Sequence, residues 1–165
     1  MNQHNLFAAL RAAFPRDLDQ VAIETDSGAS YSWRDLDHGS ARIANLLASL
    51  RLPAQSRIAV QVEKSVEAVM LYLATLRSGH VFLPLNTAYQ QAEVAYFIDN
   101  AEPAVVVCTP RNLDWVSTVA QRAGAAHVFT LGDDRSGTLL DHAAPFSDRH
   151  VCARSAAHDL AAILY

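Results

Sequence analysis

The sequence predicts an α/β fold with a mainly parallel, doubly wound sheet and helices on both of its faces. Short apolar segments of strand length alternate with segments in which apolar residues recur at helical spacing. Isolated Gly and Pro residues separate these segments, and no internal repeat or linker interrupts them. The chain has 165 residues, of which 51% are hydrophobic and 18% charged. A chain of this length buries roughly 70% of its unfolded surface, so we expect one domain.

The amino-terminal elements are a helix and a hairpin. The first sixteen residues contain two arginines, no acid and helically spaced apolar residues, a pattern shared by organellar transit helices. Because serine is scarce there, we interpret the segment as an amphipathic opening helix. Val21–Thr25 and Ala29–Tyr31 flank an Asp-Ser-Gly turn and predict a hairpin. Ser32, with Asp35 three residues later, predicts a capped amphipathic helix.

The next elements predict the first βα units of the sheet. Arg57–Val62 reads as a strand, and Ser65 caps a helix that is apolar nearly all round and ends at Gly79. We expect this helix to be deeply buried, with Val69 among its inward residues. A short strand at Val81–Leu83 is ended by Pro84.

Two continuous apolar runs predict strands that are buried on both faces: Ala104–Cys108, which we place at the centre of the sheet, and Leu160–Tyr165 at the end of the sequence. The other predicted elements are a helix at Gln91–Asp99, an amphipathic helix at Leu113–Ala123, a strand at His127–Leu131, a helical turn near Leu139 and an irregular polar stretch from Ala144 to His158.

Charge and composition exclude several function classes. Thirteen basic and seventeen acidic residues give a net charge of −4 and leave no basic stripe, so nucleic-acid binding is not expected. The longest apolar stretch is far shorter than the ~20 residues of a membrane span. The two cysteines do not make a disulfide framework, and we predict a cytoplasmic protein.

The sequence lacks a phosphate-binding motif. A phosphate cradle needs closely spaced glycines, and the six glycines are isolated. Gly132–Gly137 is the nearest candidate, but its adjacent acids would repel phosphate, so we interpret it as a solvated turn. Lys64, the only lysine, follows a strand in a position compatible with anion binding. A solvated loop charge is the simpler interpretation.

The sequence also gives no support for a metal site or for a catalytic nucleophile. No two histidines have the helical spacing that would place them on one face, and we expect His150, Cys152 and His158 in a surface loop. We interpret His80 and His127 as packing or capping residues. Cys108 falls in an apolar strand and is expected to be buried and inert. We therefore assign no catalytic, cofactor-binding or metal-binding residue.

Four strings resemble the opening portion of the acyl-adenylate-forming acyl-CoA synthetases and occur in that family's order. They are Tyr31-Ser-Trp-Arg-Asp-Leu, Leu76-Arg-Ser-Gly-His-Val-Phe-Leu-Pro-Leu-Asn86, Asn100-Ala-Glu-Pro-Ala-Val-Val-Val-Cys108 and Asp159-Leu-Ala-Ala-Ile-Leu-Tyr165. Glu63–Thr75 running into Phe82–Tyr89 is most similar to malonyl-CoA synthetases. His80 departs from the family's usual small residue and Gln90 from its common capping hydroxyl.

The resemblance implies a two-step ligase. A carboxylate, most simply malonate, would react with ATP to give an acyl adenylate, and CoA would then displace AMP, with Mg²⁺ offsetting phosphate charge. It also implies that residues 1–165 are the N-terminal subdomain of an AMP-binding ligase, cut just before the phosphate-binding loop. The partner would be the remaining part of the synthetase. Alone, the fragment is expected to be inactive.

Two alternatives stay open at this stage. The chain is also consistent with a non-catalytic interaction domain whose unfinished sheet is completed by a partner chain or by its own copy. A small flavodoxin-like nucleotide-binding protein is the other alternative, and the missing phosphate loop argues against it.

Overall fold

The computed structural model describes residues 4–165. In chain order the helices and strands are α1 (Leu6–Ala12), β1 (Val21–Glu24), β2 (Ser30–Ser32), α2 (Trp33–Ser49), β3 (Arg57–Gln61), α3 (Val66–Arg77), β4 (Val81–Pro84), α4 (Gln91–Ala101), β5 (Val105–Cys108), α5 (Leu113–Arg122), β6 (His127–Thr130) and α6 (Thr138–Ala143). Each predicted element up to β6 is present, with ends shifted by one or two residues. The opening-helix prediction is met by α1, and its residues 1–3 lie outside the described residues.

Four parallel strands form the central sheet, in the spatial order β4, β3, β5, β6. The chain passes outward from β3 to β4, crosses back to β5 and continues to β6. The direction of winding therefore reverses between β3 and β5, which is the mark of a doubly wound sheet. β1 and β2 form a separate antiparallel hairpin.

Helices cover both faces of the sheet, because alternate residues of the interior strands point to opposite sides. Val105 and Val107 of β5 pack with residues of α2 and α3. Val106 and Cys108 pack with residues of α4 and α5. All four side chains are at most 1% exposed, which confirms that β5 is the buried central strand. The predicted α/β class is likewise confirmed.

The helix ends follow the predicted capping chemistry. Ser32 and Asp35 form a complete capping box at the start of α2, and the Ser65 hydroxyl accepts the Ala68 amide at 3.1 Å. Gly79 follows α3 with a φ of +74°, a conformation that disfavours side chains. One expectation was wrong: Val69 is 39% exposed, because the outer side of α3 faces solvent at that turn.

The buried strand predicted at Leu160–Tyr165 is wrong. Only one bridge forms, between Ala162 and Phe82 of the edge strand β4. Leu160, Leu164 and Tyr165 are 57%, 76% and 44% exposed. Apolar composition favours burial, but this segment lies at the sheet's edge and has a neighbouring strand on one side only. We call residues 153–163, which run along this edge, the C-terminal strap.

Candidate functional site

The carboxyl ends of the four parallel strands lie along one edge of the sheet, where doubly wound folds bind their ligands. A cavity of about 1010 Å³ opens there. Its walls combine apolar side chains with four charged ones: Glu63, Lys64, Arg111 and Asp133. The cavity borders the loops that follow β3 and β5, the strands between which the winding reverses. It is the natural candidate site of this chain.

An ion pair spans the crevice between the ends of β3 and β5. Arg111 Nη2 lies 2.8 Å from Glu63 Oε1, so the two charges offset each other. Lys64 is exposed and forms no ion pair with another residue in the 4–165 range. Asp133 adds a negative charge to the same cavity. Lys64 is therefore at the cavity wall, and its anion-binding role stays a prediction.

Two buried polar side chains at the carboxyl ends of β3 and β5 each have an atom without a hydrogen-bond partner among residues 4–165. Gln61, 2% exposed, donates its amide to the Asn86 carbonyl at 3.1 Å, but its Oε1 has no hydrogen-bond partner among the described residues. Thr109, 6% exposed, has no partner for its hydroxyl within the same residues. Both end adjacent strands, so the sheet leaves hydrogen-bonding capacity at the reversal point.

The Gly132–Gly137 loop uses its polar groups internally. The Gly132 amide donates to the Ser136 carbonyl, and the Asp134 carboxylate accepts the Ser136 amide. Hydrogen bonds to the Asp134 carboxylate from the Ser136 hydroxyl and then from the Ser136 amide hold the pKa of Asp134 below its usual value. The loop is therefore a closed, acidic turn and offers no cradle for phosphate.

The structure places the cysteines and histidines largely where the sequence predicts them. Cys108 is fully buried, and burial raises the pKa of its thiol to about 11, so the nucleophilic thiolate is scarce at neutral pH. His80 is 7% exposed, and burial lowers its pKa. His150 and Cys152 lie in a segment without helix or strand, as predicted, but both residues are only partly exposed. Arg77 donates a hydrogen bond to the His150 carbonyl and so ties this segment to α3. Within residues 4–165 no group of three potential metal ligands converges.

Sequence reasoning missed a buried acid next to the candidate cavity. Glu67 of α3 is 5% exposed, accepts a hydrogen bond from the Tyr31 hydroxyl at 3.2 Å and lies 2.9 Å from Arg135 Nε. The Arg135 guanidinium also covers the Tyr31 ring. This cluster attaches the Gly132–Gly137 loop to α3 and the hairpin. The available signal was a lone acid in an almost wholly apolar helix, which requires a partner when buried.

The side chains that line the candidate cavity can contact a ligand, but those within residues 4–165 do not form a reaction centre. The described residues that line the cavity include no activated nucleophile. Its acids, Glu63 and Asp133, balance its bases, Lys64 and Arg111, so these side chains give no net positive charge to attract a polyphosphate. The described residues that line the cavity do not form a cradle for a nucleotide's phosphates.

Comparison with known proteins identifies the family of this chain. The family model described as AMP-binding enzyme matches residues 10–165. The chain belongs to the AMP-binding enzyme family. Family membership agrees with the resemblance that the four strings show.

Solved and curated relatives agree with this assignment. MatB from Rhodopseudomonas palustris, solved with ATP bound and in the apo form, is 46% identical with a TM-score of 0.93 over 99% of this chain and 32% of its own. Phosphinothricin tripeptide synthetase PhsB of Streptomyces viridochromogenes is 33% identical over 83% of this chain and 11% of its own. The medium-chain fatty-acid–CoA ligase of Escherichia coli is 31% identical over 51% of this chain and 15% of its own.

The MatB match confirms the resemblance to malonyl-CoA synthetases and the assignment of the fold to the N-terminal subdomain of such an enzyme. The chain spans about a third of the length of MatB and less of the curated relatives. No helix in the described range is both long and apolar enough to cross a membrane.

Proposed function

We propose that residues 1–165 are the N-terminal subdomain of a longer ATP-dependent ligase that converts malonate to malonyl-CoA. The observation that carries the proposal is the 46% identity with MatB over 99% of this chain. In the proposed reaction a malonate carboxylate oxygen bonds to the α-phosphorus of ATP, and pyrophosphate leaves. The CoA thiol then bonds to the acyl carbon, loses its proton, and AMP leaves. Mg²⁺ offsets the phosphate charge in the first step.

This chain's part in that reaction is structural. The reversal point between β3 and β5, with its polar groups at Gln61 and Thr109, supplies one wall of a cleft that other segments complete. Because the cavity has no phosphate cradle of its own, the isolated chain is proposed to be inactive. The cytoplasmic location stays a prediction drawn from the two unpaired cysteines.

A domain exchange in MatB tests the proposal. Replacing the matching third of Rhodopseudomonas palustris MatB with this chain is expected to give a folded hybrid that releases pyrophosphate when malonate, ATP and Mg²⁺ are supplied. The isolated 165-residue chain is expected to give no release above a blank without enzyme. Unmodified MatB is the control, and acetate and succinate replace malonate in parallel reactions.

Two outcomes contradict the proposal. The first is a hybrid that folds with native circular dichroism but has no adenylation activity. The second is turnover by the isolated chain, which would mean that its own residues complete a site. The malonate preference is tested separately, by assaying the product of any longer reading frame that contains this sequence with the same three carboxylates.

The interaction-domain alternative retains one supporting observation. Leu160 of the C-terminal strap and Leu164, which follows the strap, are exposed apolar side chains near an edge strand. If a genuine stop codon follows Tyr165, the alternative gains support. If the frame continues into a Gly/Ser/Thr-rich run, the ligase is supported instead.

A further inference from the structure

The imidazole of His80 is buried beneath the C-terminal strap without a hydrogen-bond partner for its Nδ1 among residues 4–165. His80 lies at the turn between α3 and β4 and is 7% exposed. It faces a cavity of about 40 Å³, whose outer side is closed by strap residues Ser155, Asp159 and Leu160. The strap therefore separates a titratable ring from solvent.

Hydrogen bonds hold the strap to the body of the chain at several points along its length, among them those from the His4 amide and the Asn5 side chain to Ser155. The Ala153 amide donates to the Arg77 carbonyl at 2.8 Å, and the Leu160 amide donates to Gln55 Oε1 at 2.9 Å. Phe82 of β4 exchanges two bonds of 3.0 Å with the strap, donating to the Ala161 carbonyl and accepting from the Ile163 amide. Residues 156–158, Leu160 and Ala162 of the strap are exposed, and exposed segments whose backbone hydrogen bonds lie at a sheet edge open locally at lower free-energy cost than the core.

The charged groups around His80 do not compensate a positive charge on its ring. His4 precedes α1 and borders the same cavity, as does Asp159, which accepts the Ala156 amide. Among residues 4–165 no ion pair joins Asp159 to His80, and burial is the cause of the lowered pKa of His80. The Arg77 guanidinium of α3 is directed to Asp37 and the His150 carbonyl. Gln55 and Asn5 complete the lining and are neutral.

We propose that the C-terminal strap is a pH-sensitive latch, which protonation of His80 releases from the edge of β4. An imidazolium in this small cavity is deprived of water and forms no ion pair with another residue of the 4–165 range, whereas opening the strap restores its hydration. The proposal concerns this chain alone and does not depend on the ligase function.

The sign of the pH effect follows from where the proton binds more tightly. With the strap closed, burial lowers the pKa of His80 below its ordinary 6.5. With the strap open, the ring is hydrated and its pKa returns to about 6.5. Above that pH both states are neutral and the latch stays closed. Below it the open state takes up a proton first, so acid favours opening.

Amide hydrogen exchange in the intact 165-residue chain tests the latch. From about pH 7.5 to about pH 5.5, the opening constant of the Leu160, Phe82 and Ile163 amides is expected to rise up to about tenfold after correction for intrinsic exchange. The amides of β5 serve as an internal reference that stays unchanged.

Two substitutions separate His80 from its neighbours. His80→Gln keeps a polar neutral side chain and is expected to abolish the pH dependence of the strap amides. His150→Gln is the matched control, because burial and Arg77 also lower the pKa of His150 ahead of the strap. It is expected to leave the dependence intact.

A flat pH response in the unsubstituted chain, or an equal rise in the His80→Gln variant, overturns the proposal. If the His80→Gln variant does not fold, the titration of the His80 imidazole in the unsubstituted chain tests the proposal instead. A His80 midpoint at or above 6.5 with the strap amides protected contradicts the latch, and a midpoint below 6.5 that coincides with their exposure supports it.

Discussion

Two apolar segments of this chain have similar composition and opposite surroundings. Val105–Cys108 forms β5, with strands on both sides and helices over both faces, and each of its side chains is at most 1% exposed. Leu160–Tyr165 makes a single bridge to an edge strand and exposes both leucines. An apolar run therefore shows that a segment can be buried. Its position in the sheet decides whether it is.

The largest effect is expected when the same charge is placed in each of the two segments, which tests this comparison directly. Val107→Asp puts a carboxylate in the fully buried strand, where an unpaired charge costs several kcal/mol, and is expected to abolish cooperative unfolding. Leu164→Asp is expected to change the free energy of unfolding by less than about 0.5 kcal/mol. Urea titrations followed by circular dichroism measure both. Similar losses in the two variants would mean that the terminal segment is as buried as β5.

The second prediction concerns the side chain that links the core to the strap region. Arg77 lies 2.8 Å from Asp37, donates to the His150 carbonyl and covers the Phe7 ring. Because Arg77 is almost fully buried, Arg77→Ala is expected to lower the free energy of unfolding by about 3 kcal/mol.

Its control is an ion pair of similar length at the surface. Arg122 lies 2.7 Å from Asp99, and both side chains are about half exposed. Arg122→Ala is expected to cost no more than about 0.5 kcal/mol in the same denaturation assay. Equal costs for the two arginine variants would show that burial does not distinguish the pairs.

The smallest effect compares two glycines that have similar backbone conformations. Gly79 and Gly124 have φ values of +74° and +82°, and only at Gly79 would an added Cβ meet the strap, 3.1 Å from Ala153 Cβ. Gly124→Ala is expected to cost about 1 kcal/mol from backbone strain, and Gly79→Ala about 2 kcal/mol. Thermal unfolding measures both. In an Ala153→Gly background the difference is expected to shrink, and a difference that persists would assign it to another cause.

Local rules gave the elements of this fold, because they act over a few residues. Ser32 and Asp35 specify a capping box wherever the chain places them, and the glycine at position 79 ends α3. The α4 helix extends two residues beyond its predicted end at Asp99. It ends at Ala101, because Glu102 adopts a left-handed φ of 45°.

The candidate site was less accessible from sequence. Lys64 could be placed after a strand, but the pairing of Glu63 with Arg111 joins residues 48 positions apart. Likewise, Glu67 of α3 contacts Tyr31 of β2 and Arg135 of the Gly132–Gly137 loop, three segments that are far apart in the sequence. Partners of this kind depend on how elements pack, which no local pattern encodes.

The sequence by itself determined the α/β class, the order of the elements, the central position of β5 and the family, because periodicity, capping and characteristic strings are local properties. The tertiary structure alone decided that Leu160–Tyr165 lies exposed at an edge, that His80 is sealed beneath the strap and that Gln61 and Thr109 end at the reversal point. These outcomes depend on which neighbours each residue meets, and neighbours are set by strand order and helix packing across the whole chain.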